Sequence, residues 1–434
     1  MKQVNIGLCG LGTVGSGTFN VLKRNSKEIQ ASANCAVSVT HVGARRDNPA
    51  CDLTGVKVSR DIFDVVNDPN VDVIVELIGG TTTAKDLVLQ AIAKGKHVVT
   101  ANKALIAEFG NEIFAAAEEA NVSVAFEAGV AGGIPIIKVL REGLVANRIE
   151  WLAGIINGTG NYILTEMSEK GREFADVLVE AQALGYAEAD PTFDVEGIDA
   201  AHKLVILAAI AFGMPLQYER AYTEGISKIE PRDLAFAEEL GYRVKHLGIA
   251  RRHGDKVEMR VHPTLIPEKQ LIAHVNGVMN SVLVKGDAVG STMYSGPGAG
   301  DEPTASAVVA DIVDIARELA VGSTLSVPHL GFGTDYVSKL NVQSMDETET
   351  GYYLRITAED KPGVLSDITQ ILSKLGVSIE ALIQKEAAEG LTVVPVILLT
   401  NRTQEGKMKQ AIEQIEALDS VVGDIARIRV EDLS

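Results

Sequence analysis

The sequence predicts an α/β protein in three parts: an N-terminal doubly wound parallel sheet, a central α+β segment and a C-terminal ferredoxin-like module of βαββαβ order. Strands alternate with helices over residues 1–130, and the strand at residues 71–78 is almost wholly apolar, as in a sheet covered on both faces. Alternating segments at residues 256–261 and 281–289, and a helix at residues 232–246, indicate a second sheet with helices. The βαββαβ pattern then fills residues 350–434.

These patterns divide the chain into four regions. We expect a nucleotide-binding domain at residues 1–130, completed by a helix at about residues 303–322. A second domain is expected at residues 131–320, and a linker at 321–349, where Gly, Ser, Thr and Asp are frequent and periodicity is absent. Residues 350–434 are expected to form the C-terminal domain.

Composition excludes several classes of protein. A chain of 434 residues is too long for one ordinary hydrophobic core, so two or three domains are expected. The formal net charge of −18, from 40 basic and 58 acidic residues, argues against nucleic acid or an anionic membrane as a partner. No apolar run is long enough to span a bilayer, and Cys9, Cys35 and Cys51 lack the spacing of a metal site. We therefore expect a cytoplasmic enzyme with reduced thiols.

A dinucleotide fingerprint opens the chain. An apolar strand at residues 3–9 leads into G-x-G-x-x-G and then a helical stretch reaching about residue 27. One glycine makes the turn, another lets the backbone approach the pyrophosphate, and a third allows close helix packing. The predicted cofactor-binding residues of this loop are Gly10, Leu11, Gly12, Thr13, Val14 and Gly15.

The end of the second strand bears on cofactor choice. Arg45 and Arg46 follow the strand at residues 36–42, where a site selective for NAD usually carries an acid. Two arginines there favour the 2′-phosphate of NADP. A solvated basic turn is the alternative, and Asp47 leaves use of both cofactors open.

Two further loops follow strands of the predicted parallel sheet. Thr81 comes after the strand at residues 71–78, and Lys103 after the strand at residues 96–100. Because ligands bind outside the carboxyl ends of such strands, we predict that Thr81 contacts the cofactor and that Lys103 lies where nicotinamide and substrate meet. An ordinary surface lysine is the alternative. The next helix is predicted for residues 111–120.

Residues 127–134 read EAGVAGGI and are followed by Pro135. Backbone freed by three glycines can present carbonyl oxygens to a hard cation. A plain hinge between domains explains the glycines equally well, so composition leaves both interpretations open.

An acidic run at residues 184–203 ends in a single lysine. Pro191 and Gly197 place its first half in a loop, so a helix is predicted to begin near Ile198 or Asp199. On that helix Asp199 and Lys203 share a face. A lysine facing a cleft beside carboxylates is a candidate proton carrier, whereas an exposed ion pair is the alternative.

At this point the chain resembles homoserine dehydrogenase with a C-terminal ACT domain. The resemblance covers nearly the whole sequence. Six motifs occur in the family's order: GLGTVG at 10–15, TANKAL at 100–105, EAGVAGGIPI at 127–136, GIINGTGNYIL at 154–164, LGYAEADPTFDVEGIDAAHK at 184–203 and PTASAVVADI at 303–312.

The resemblance implies reversible, NAD(P)-dependent conversion of L-homoserine to L-aspartate 4-semialdehyde, in threonine, methionine and isoleucine biosynthesis. It makes Lys203 the proton donor and acceptor, with Lys103 orienting the substrate and Asp199 beside them. Glu188 would hold the substrate ammonium. The residues implied to bind the substrate are Glu188, Asp194, Tyr186, Thr159 and Gly158.

The family also implies a cation site, a further cofactor contact and an effector site. The first is a Na+ or K+ site of backbone carbonyls, from Glu127, Val130, Gly132 and Ile134. The cofactor contact falls on Gly300, which here is followed by Asp301 and Glu302 rather than by the glycines that the family often has. The effector site of the ACT domain falls on Asp360, Pro362 and Gly363.

We expect feedback regulation, most readily by threonine, in a homodimer or homotetramer. An ACT domain that serves only oligomerisation is the alternative. The competing oxidoreductases are aspartate dehydrogenase and aspartate semialdehyde dehydrogenase; the second needs a catalytic cysteine, and none follows Cys51. A third alternative is a ligand sensor that has kept the fold and lost the activity. The intact Lys103, Glu188, Asp199 and Lys203 of this chain argue against it.

Overall fold

The computed structural model describes residues 2–323, 327–338, 340–385 and 392–433. The strands are β1 (Gln3–Cys9), β2 (Ala36–Gly43), β3 (Lys57–Ser59), β4 (Val73–Glu76), β5 (His97–Thr100), β6 (Val124–Ala125), β7 (Ile149–Ile155), β8 (Tyr222–Thr223), β9 (Tyr242–His253), β10 (Lys256–Pro267), β11 (Met279–Gly286), β12 (Gly290–Pro297), β13 (Asn341–Val342), β14 (Glu349–Glu359), β15 (Ile379–Gln384), β16 (Val393–Gln404) and β17 (Ala426–Val430).

The helices alternate with these strands. They are α1 (Thr13–Arg24), α2 (Ser26–Ala33), α3 (Ile62–Asn67), α4 (Thr82–Ala93), α5 (Lys103–Ala120), α6 (Ile136–Lys138), α7 (Gly158–Lys170), α8 (Phe174–Ala183), α9 (Thr192–Val195), α10 (Ile198–Phe212), α11 (Pro231–Glu239), α12 (Asp301–Val321), α13 (Val364–Lys374) and α14 (Glu405–Glu416).

The chain forms two compact units, and each draws on separate parts of the sequence. Unit 1 comprises Met1–Leu152, His202–Arg220 and Met279–Leu340. Unit 2 comprises Ala153–Ala201, Ala221–Val278 and Asn341–Ser434.

Unit 1 contains a six-stranded sheet in the order β3-β2-β1-β4-β5-β6. All of its pairings are parallel. This confirms the predicted doubly wound sheet, whose order reverses direction between β1 and β4. Ile6, Leu8, Val73, Ile74 and Val75 are fully buried, which explains why these strands are apolar along both faces. The sequence prediction missed β3 and α3.

Helix α12 shares one hydrophobic core with this sheet. Val308 and Ile312 belong to the same buried cluster as Ile6, Leu8 and Phe19. The helix is thus part of unit 1, although about 180 residues of chain separate it from β6.

Unit 2 contains a long antiparallel hairpin, β9 and β10. The sheet continues from β10 into the C-terminal module. Strand β10 pairs in parallel with β17, with Thr264 opposite Arg429. The order then runs β17-β14-β16-β15, which confirms the predicted βαββαβ module. The sequence predicts a strand at residues 379–386 and another at 391–400 of this module, and residues 386 and 391 lie outside the described residues.

The C-terminal module also shares its core with the central segment. One buried cluster joins Ile163 and Leu265 of the central segment to Tyr353, Ile397 and Ile428 of the module. Burying an aliphatic side chain of this size contributes about 1.5 to 3 kcal/mol. The two parts therefore stabilise each other.

The expected linker at residues 321–349 has some local structure. Its described part includes the 3-10 turns Thr334–Tyr336 and Met345–Glu347, and the short strand β13. Residues 324–326 and 339 of the linker lie outside the described residues. Within the residues that the structure describes, no helix is long and apolar enough to cross a membrane.

Candidate active site

The fingerprint loop has the geometry that the three glycine roles require. Gly10 adopts φ +104°, and a Cβ there would lie 2.6 Å from the Leu77 carbonyl oxygen. A Cβ on Gly15 would lie 2.1 Å from the Gly10 oxygen, so this position needs glycine for close packing. Around Gly12 no described atom lies within 4 Å of an added Cβ. That open side is where a pyrophosphate can approach the backbone.

The other fingerprint residues complete the turn into α1. The Leu11 carbonyl accepts a hydrogen bond from Asn48 Nδ2 at 2.9 Å, which fixes the loop against the end of β2. Thr13 and Val14 open α1, whose unpaired N-terminal amides form an anion site. The residues present therefore fit a dinucleotide.

The basic turn after β2 is contacted by a third arginine, Arg60, which follows β3 and which sequence reasoning missed. Arg45 and Arg46 are exposed. Asp47, the one acid nearby, pairs with Arg60 at 2.9 Å. The Arg60 guanidinium also donates to the Ala44 carbonyl at 3.1 Å, which ties it to the end of β2. The acid at this turn is thus matched by a cation, and the turn is basic overall.

A buried carboxylate, Glu76, organises the loop after β4. It is fully buried and accepts hydrogen bonds from the amides of Ile78 at 2.8 Å and Gly79 at 3.2 Å. The Thr100 hydroxyl, at the end of β5, donates to its other oxygen at 2.6 Å. One side chain therefore fixes the carboxyl ends of two neighbouring strands. Thr81, at the end of this loop, is the N-cap residue of α4, and its side chain makes no capping hydrogen bond.

The same network places Lys103. The Asn102 amide donates to the Thr100 hydroxyl at 3.0 Å, and the Asn102 side chain donates to the Gly80 carbonyl at 2.6 Å. Its side-chain oxygen accepts from Leu105 at 3.1 Å and caps α5. Lys103 is therefore the first residue of α5, which begins eight residues before the predicted helix.

Residues 127–134 form a turn in unit 1 that side-chain hydrogen bonds hold in place. Glu127 is buried, and its carboxylate accepts hydrogen bonds from the Ile137 and Lys138 amides at 2.9 and 2.8 Å. Burial raises the pKa of Glu127 to about 7, against these two hydrogen bonds, which act to lower it. The Glu127 amide donates to Asp311 at 2.8 Å, and burial together with Glu127 raises the pKa of Asp311.

Two backbone carbonyl oxygens of this turn accept no hydrogen bond from the described residues. Ala131 adopts φ +54° and Gly132 φ +44°, both in the left-handed region that residues other than glycine rarely occupy. Among the described residues, no hydrogen-bond donor reaches the carbonyls of Val130 and Gly132, whereas those of Glu127 and Ile134 accept one backbone bond each. Carbonyl oxygens of this kind fit a hard monovalent or divalent cation.

Gly300 stands directly before α12, as the N-cap residue. The two acids that follow it, Asp301 and Glu302, both have partners within unit 1. Glu302 pairs with Arg24 of α1 at 2.6 Å, on the surface, and Asp301 accepts a hydrogen bond from the Glu302 amide at 2.7 Å. The departure from the family pattern therefore creates a tie between α12 and α1.

In unit 2, Asn157 joins two of the predicted acids. Its side-chain amide donates to Asp194 and to Asp199, both at 2.8 Å. Its side-chain oxygen accepts from the Gly160 amide at 2.7 Å and caps α7. Sequence reasoning missed Asn157; its position directly before a helix and after a buried strand is the signal of an N-cap.

The remaining predicted substrate residues lie at the start of α7 and in the loop that follows α8. Gly158 packs against Val278, whose carbonyl oxygen would lie 2.7 Å from an added Cβ. The Thr159 hydroxyl donates to the Tyr186 carbonyl at 2.6 Å, and the exposed Tyr186 ring contacts Tyr162 edge to face. Glu188 is exposed, and among the described residues no donor reaches its carboxylate. It is available to a cationic ligand.

Helix α10 carries both Asp199 and Lys203, and it begins at Ile198 as predicted. Asp199 is 3% exposed and Lys203 9% exposed, so the two are not a solvated surface pair. His202 between them stacks on Tyr218 with ring centres 4.3 Å apart and lies 3.3 Å from Glu108. A buried lysine one helical turn from a buried carboxylate is suited to proton transfer.

Three family models match the chain. Residues 10–127 match the NAD binding domain of homoserine dehydrogenase, residues 135–313 match homoserine dehydrogenase, and residues 352–417 match the ACT domain.

Relatives match over the full length. The homoserine dehydrogenase of Pseudomonas aeruginosa is 62% identical over 434 residues, which cover 100% of both chains. The crystal structure of a homoserine dehydrogenase from Thiobacillus denitrificans is 59% identical, with a TM-score of 0.95 over 100% of this chain and 99% of that one. A hyperthermophilic archaeal homoserine dehydrogenase in complex with NADPH is 27% identical, with a TM-score of 0.61 over 72% of this chain and 97% of that one.

Proposed function

The chain belongs to the homoserine dehydrogenase family of oxidoreductases, and we propose that it interconverts L-homoserine and L-aspartate 4-semialdehyde, in threonine, methionine and isoleucine biosynthesis. The observation that carries this proposal is the buried Lys203, one turn along α10 from Asp199, which Asn157 ties to Asp194. An amino alcohol needs such a group, because its oxidation releases a hydroxyl proton as well as a hydride.

We assign the proton to Lys203. A bound nicotinamide cofactor supplies the hydride acceptor. As the hydride leaves the carbon that bears the hydroxyl, the neutral amine of Lys203 takes the hydroxyl proton, and the C–O bond becomes a carbonyl. In the reverse direction the lysine ammonium returns that proton to the alkoxide. Lys103 orients the substrate, and Asp199 supports the lysines.

The acids of unit 2 suit a substrate with an ammonium group. We propose that Glu188 binds this ammonium, since its carboxylate is exposed and has no donor among the described residues. Asp194, Tyr186, Thr159 and Gly158 line the substrate position.

We propose NADP as the preferred cofactor. Arg45 and Arg46 are exposed at the end of β2, and Arg60 neutralises the one nearby acid, Asp47. The archaeal relative is a complex with NADPH. An Arg45→Ala, Arg46→Ala double variant is expected to lose about tenfold or more in kcat/KM with NADP and little with NAD, because only NADP carries the 2′-phosphate. Arg148→Ala, an exposed arginine elsewhere in unit 1, is the control; an unchanged NADP to NAD ratio in the double variant would contradict the assignment.

We also propose two regulatory or structural ligands. The carbonyls of Val130 and Gly132, with those of Glu127 and Ile134, would hold Na+ or K+, since the first two have no hydrogen-bond donor among the described residues. Asp360, Pro362 and Gly363, in the loop between β14 and α13, would bind an amino-acid effector, with threonine as the first candidate, in a homodimer or homotetramer.

Steady-state kinetics test the activity. Homoserine oxidation is measured with NAD and with NADP on the wild type, on Lys203→Ala and on Lys269→Ala, an exposed lysine in unit 2 that serves as the control. The first variant is expected to lose about 10²-fold to 10⁴-fold in kcat, as general-base removal does. Wild-type protein that turns over homoserine with neither cofactor would overturn the proposed activity, and full activity in Lys203→Ala would overturn the assigned base.

A further inference from the structure

Unit 2 contains a cavity that the proposed reaction does not use. Its volume is about 640 Å³. The walls come from the acidic loop between α9 and α10, from residues 222–229, from α14 and from β17. The cavity therefore lies where the central segment meets the C-terminal module.

One part of the wall is apolar and another is charged. Ile412, Ile425 and Ile428 of the C-terminal module line the apolar part, together with Ile229. Lys228 lines the cavity, is exposed, and has no side-chain partner among the described residues. A cation without a partner beside an apolar wall suits a ligand with both a negative group and an aliphatic body.

The cavity also presents a carboxylate. Glu196 lines it and receives a hydrogen bond from the Ser227 hydroxyl at 2.7 Å. The three other charged groups of the wall are already matched, because Arg427 pairs with Glu224 at 3.0 Å and Asp233 pairs with Arg355 at 2.6 Å. Lys228 and Glu196 are therefore the charges left to recognise a ligand, one of each sign.

The wall is directly continuous with the two acids that Asn157 holds. Glu196 lies two residues after Asp194 and three before Asp199. The Val195 carbonyl accepts a hydrogen bond from the Ile226 amide at 2.9 Å, so the acidic loop is attached to the turn that carries Ser227 and Lys228. A movement of that segment moves the acidic loop.

The same segment is fixed to the C-terminal module by buried charges. Arg429 of β17 is fully buried and pairs with Glu224 at 2.8 Å and with Glu405 of α14 at 2.7 Å. Glu224 also accepts a hydrogen bond from the Tyr222 hydroxyl at 2.6 Å. Both walls of the cavity thus have rigid attachments, and a ligand between them acts on both.

We propose that this cavity binds an aliphatic α-amino acid. Lys228 receives its carboxylate, Glu196 its ammonium, and the isoleucines of α14 and β17 its side chain. The ligand ammonium competes with the Ser227 hydroxyl for the Glu196 carboxylate, and the resulting shift of the acidic loop changes the placement of Asp194 and Asp199. This site is separate from the loop at Asp360, Pro362 and Gly363, which does not line the cavity. Its effect on turnover rests on the proposed function, but its binding does not.

Isothermal titration calorimetry on the full chain tests the site. The probes are L-leucine, 3-methylbutylamine, which lacks the carboxylate, and 4-methylpentanoate, which lacks the ammonium. L-Leucine is expected to bind, and each analogue to bind at least about tenfold more weakly, because one charged contact is lost. Lys228→Gln is expected to weaken L-leucine about tenfold, whereas the exposed Lys269→Gln leaves its Kd unchanged.

Two further measurements locate the ligand. Asp360→Asn and Glu188→Gln are each expected to leave L-leucine binding unchanged, because neither residue lines the cavity. Binding that is lost in either of these variants and kept in Lys228→Gln, or that is absent altogether, would overturn the proposal. Since calorimetry needs no turnover, L-leucine binding by a chain that does not oxidise homoserine would overturn the proposed activity alone.

Discussion

At the residue scale, Asn157 does three things with one side chain: it caps α7 and donates to two carboxylates. Asp194 and Asp199 carry like charges, so the amide between them offsets part of their repulsion. Asn157 acts through these acids and is a positioning residue.

Two variants separate the cap from the bridge. Asn157→Ser keeps a good N-cap but loses the bridging donor, whereas Asn157→Ala loses both. We expect kcat to fall about tenfold or more in both variants. The thermal midpoint is expected to fall in Asn157→Ala, since a lost cap costs about 1 kcal/mol, and to change little in Asn157→Ser.

The pH profile provides the readout that a purely structural role would not move. Without the amide, the like charges of Asp194 and Asp199 lose the donor that they share, so the pH dependence of kcat/KM is expected to change in both variants. An Asn157→Ser enzyme with the wild-type kcat and pH profile would show that the bridge has no part in catalysis.

Some of these residues were accessible from the sequence and others were not. Lys103 and Lys203 follow recognisable patterns, the end of a parallel strand and an acidic run. Glu76 and Asn157 were missed, because Glu76 acts on Thr100, 24 residues away, and Asn157 on Asp199, 42 residues away. Contacts across such distances depend on the fold, and one sequence does not reveal them.

At the element scale, the fingerprint loop separates glycines needed for packing from the glycine needed for binding. Gly15→Ala is expected to destabilise unit 1 by about 1 to 3 kcal/mol, because its Cβ would lie 2.1 Å from the Gly10 oxygen. Gly12→Ala has open space and should leave the thermal midpoint almost unchanged.

Cofactor binding should show the opposite behaviour for Gly12. Its added methyl group fills the side that a pyrophosphate approaches, so we expect the Kd for NADPH, measured by fluorescence titration, to rise about tenfold or more. Normal NADPH affinity in Gly12→Ala, with intact folding, would contradict the assigned approach.

Element boundaries were predicted least well where a local signal was overridden. The helix predicted at residues 232–246 is wrong beyond Glu239, where α11 ends. Gly241 then adopts φ +81° and the chain enters β9 at Tyr242. The predicted start of the helix after β5 was also wrong, because the Asn102 cap was not recognised. The strands of both sheets, in contrast, have strong apolar patterns and were mostly predicted.

At the scale of the whole molecule, the C-terminal module and the central segment should unfold together. Ile428 is 1% exposed in the core that they share. Ile428→Ala is expected to cost about 2 to 5 kcal/mol, whereas Val422→Ala, with its side chain half exposed, costs little.

Hydrogen exchange measures how far this loss extends. Amides of β9 and β10 in the central segment are expected to exchange faster in Ile428→Ala, together with those of β14 and β17. Faster exchange confined to residues 350–433 would show that the module unfolds independently.

A buried ion network gives unit 2 a pH dependence. Glu258 is 3% exposed and lies beside Arg260, which also pairs with Glu431. Burial alone would raise the pKa of Glu258, but the charges of Arg260 and Arg251 and the hydrogen bond to His253 together outweigh it, and the pKa is lowered to about 2 from an ordinary 4.5. A lowered carboxylate pKa stabilises the fold above pH 4.5, and this contribution is lost as the pH falls towards 2.

Urea unfolding at several pH values tests the network. Glu258→Gln is expected to lose on the order of 3 kcal/mol at pH 7, and the difference from wild type should shrink between pH 4.5 and about 2. Glu347→Gln, which breaks a surface pair with Lys256, should differ little at any pH. A Glu258→Gln difference that does not depend on pH would assign the loss to packing instead.

The pairing of β10 with β17 also constrains when the protein can fold during its synthesis. Leu265 and its partner Val430 are about 165 residues apart, so this part of the β10 edge stays unpaired until β17 has been made. The hydrophobic core of unit 1 is likewise incomplete until α12 has been made. The nascent chain therefore exposes an unpaired strand and apolar surface for most of translation, and we expect its yield on rapid expression to depend on chaperones.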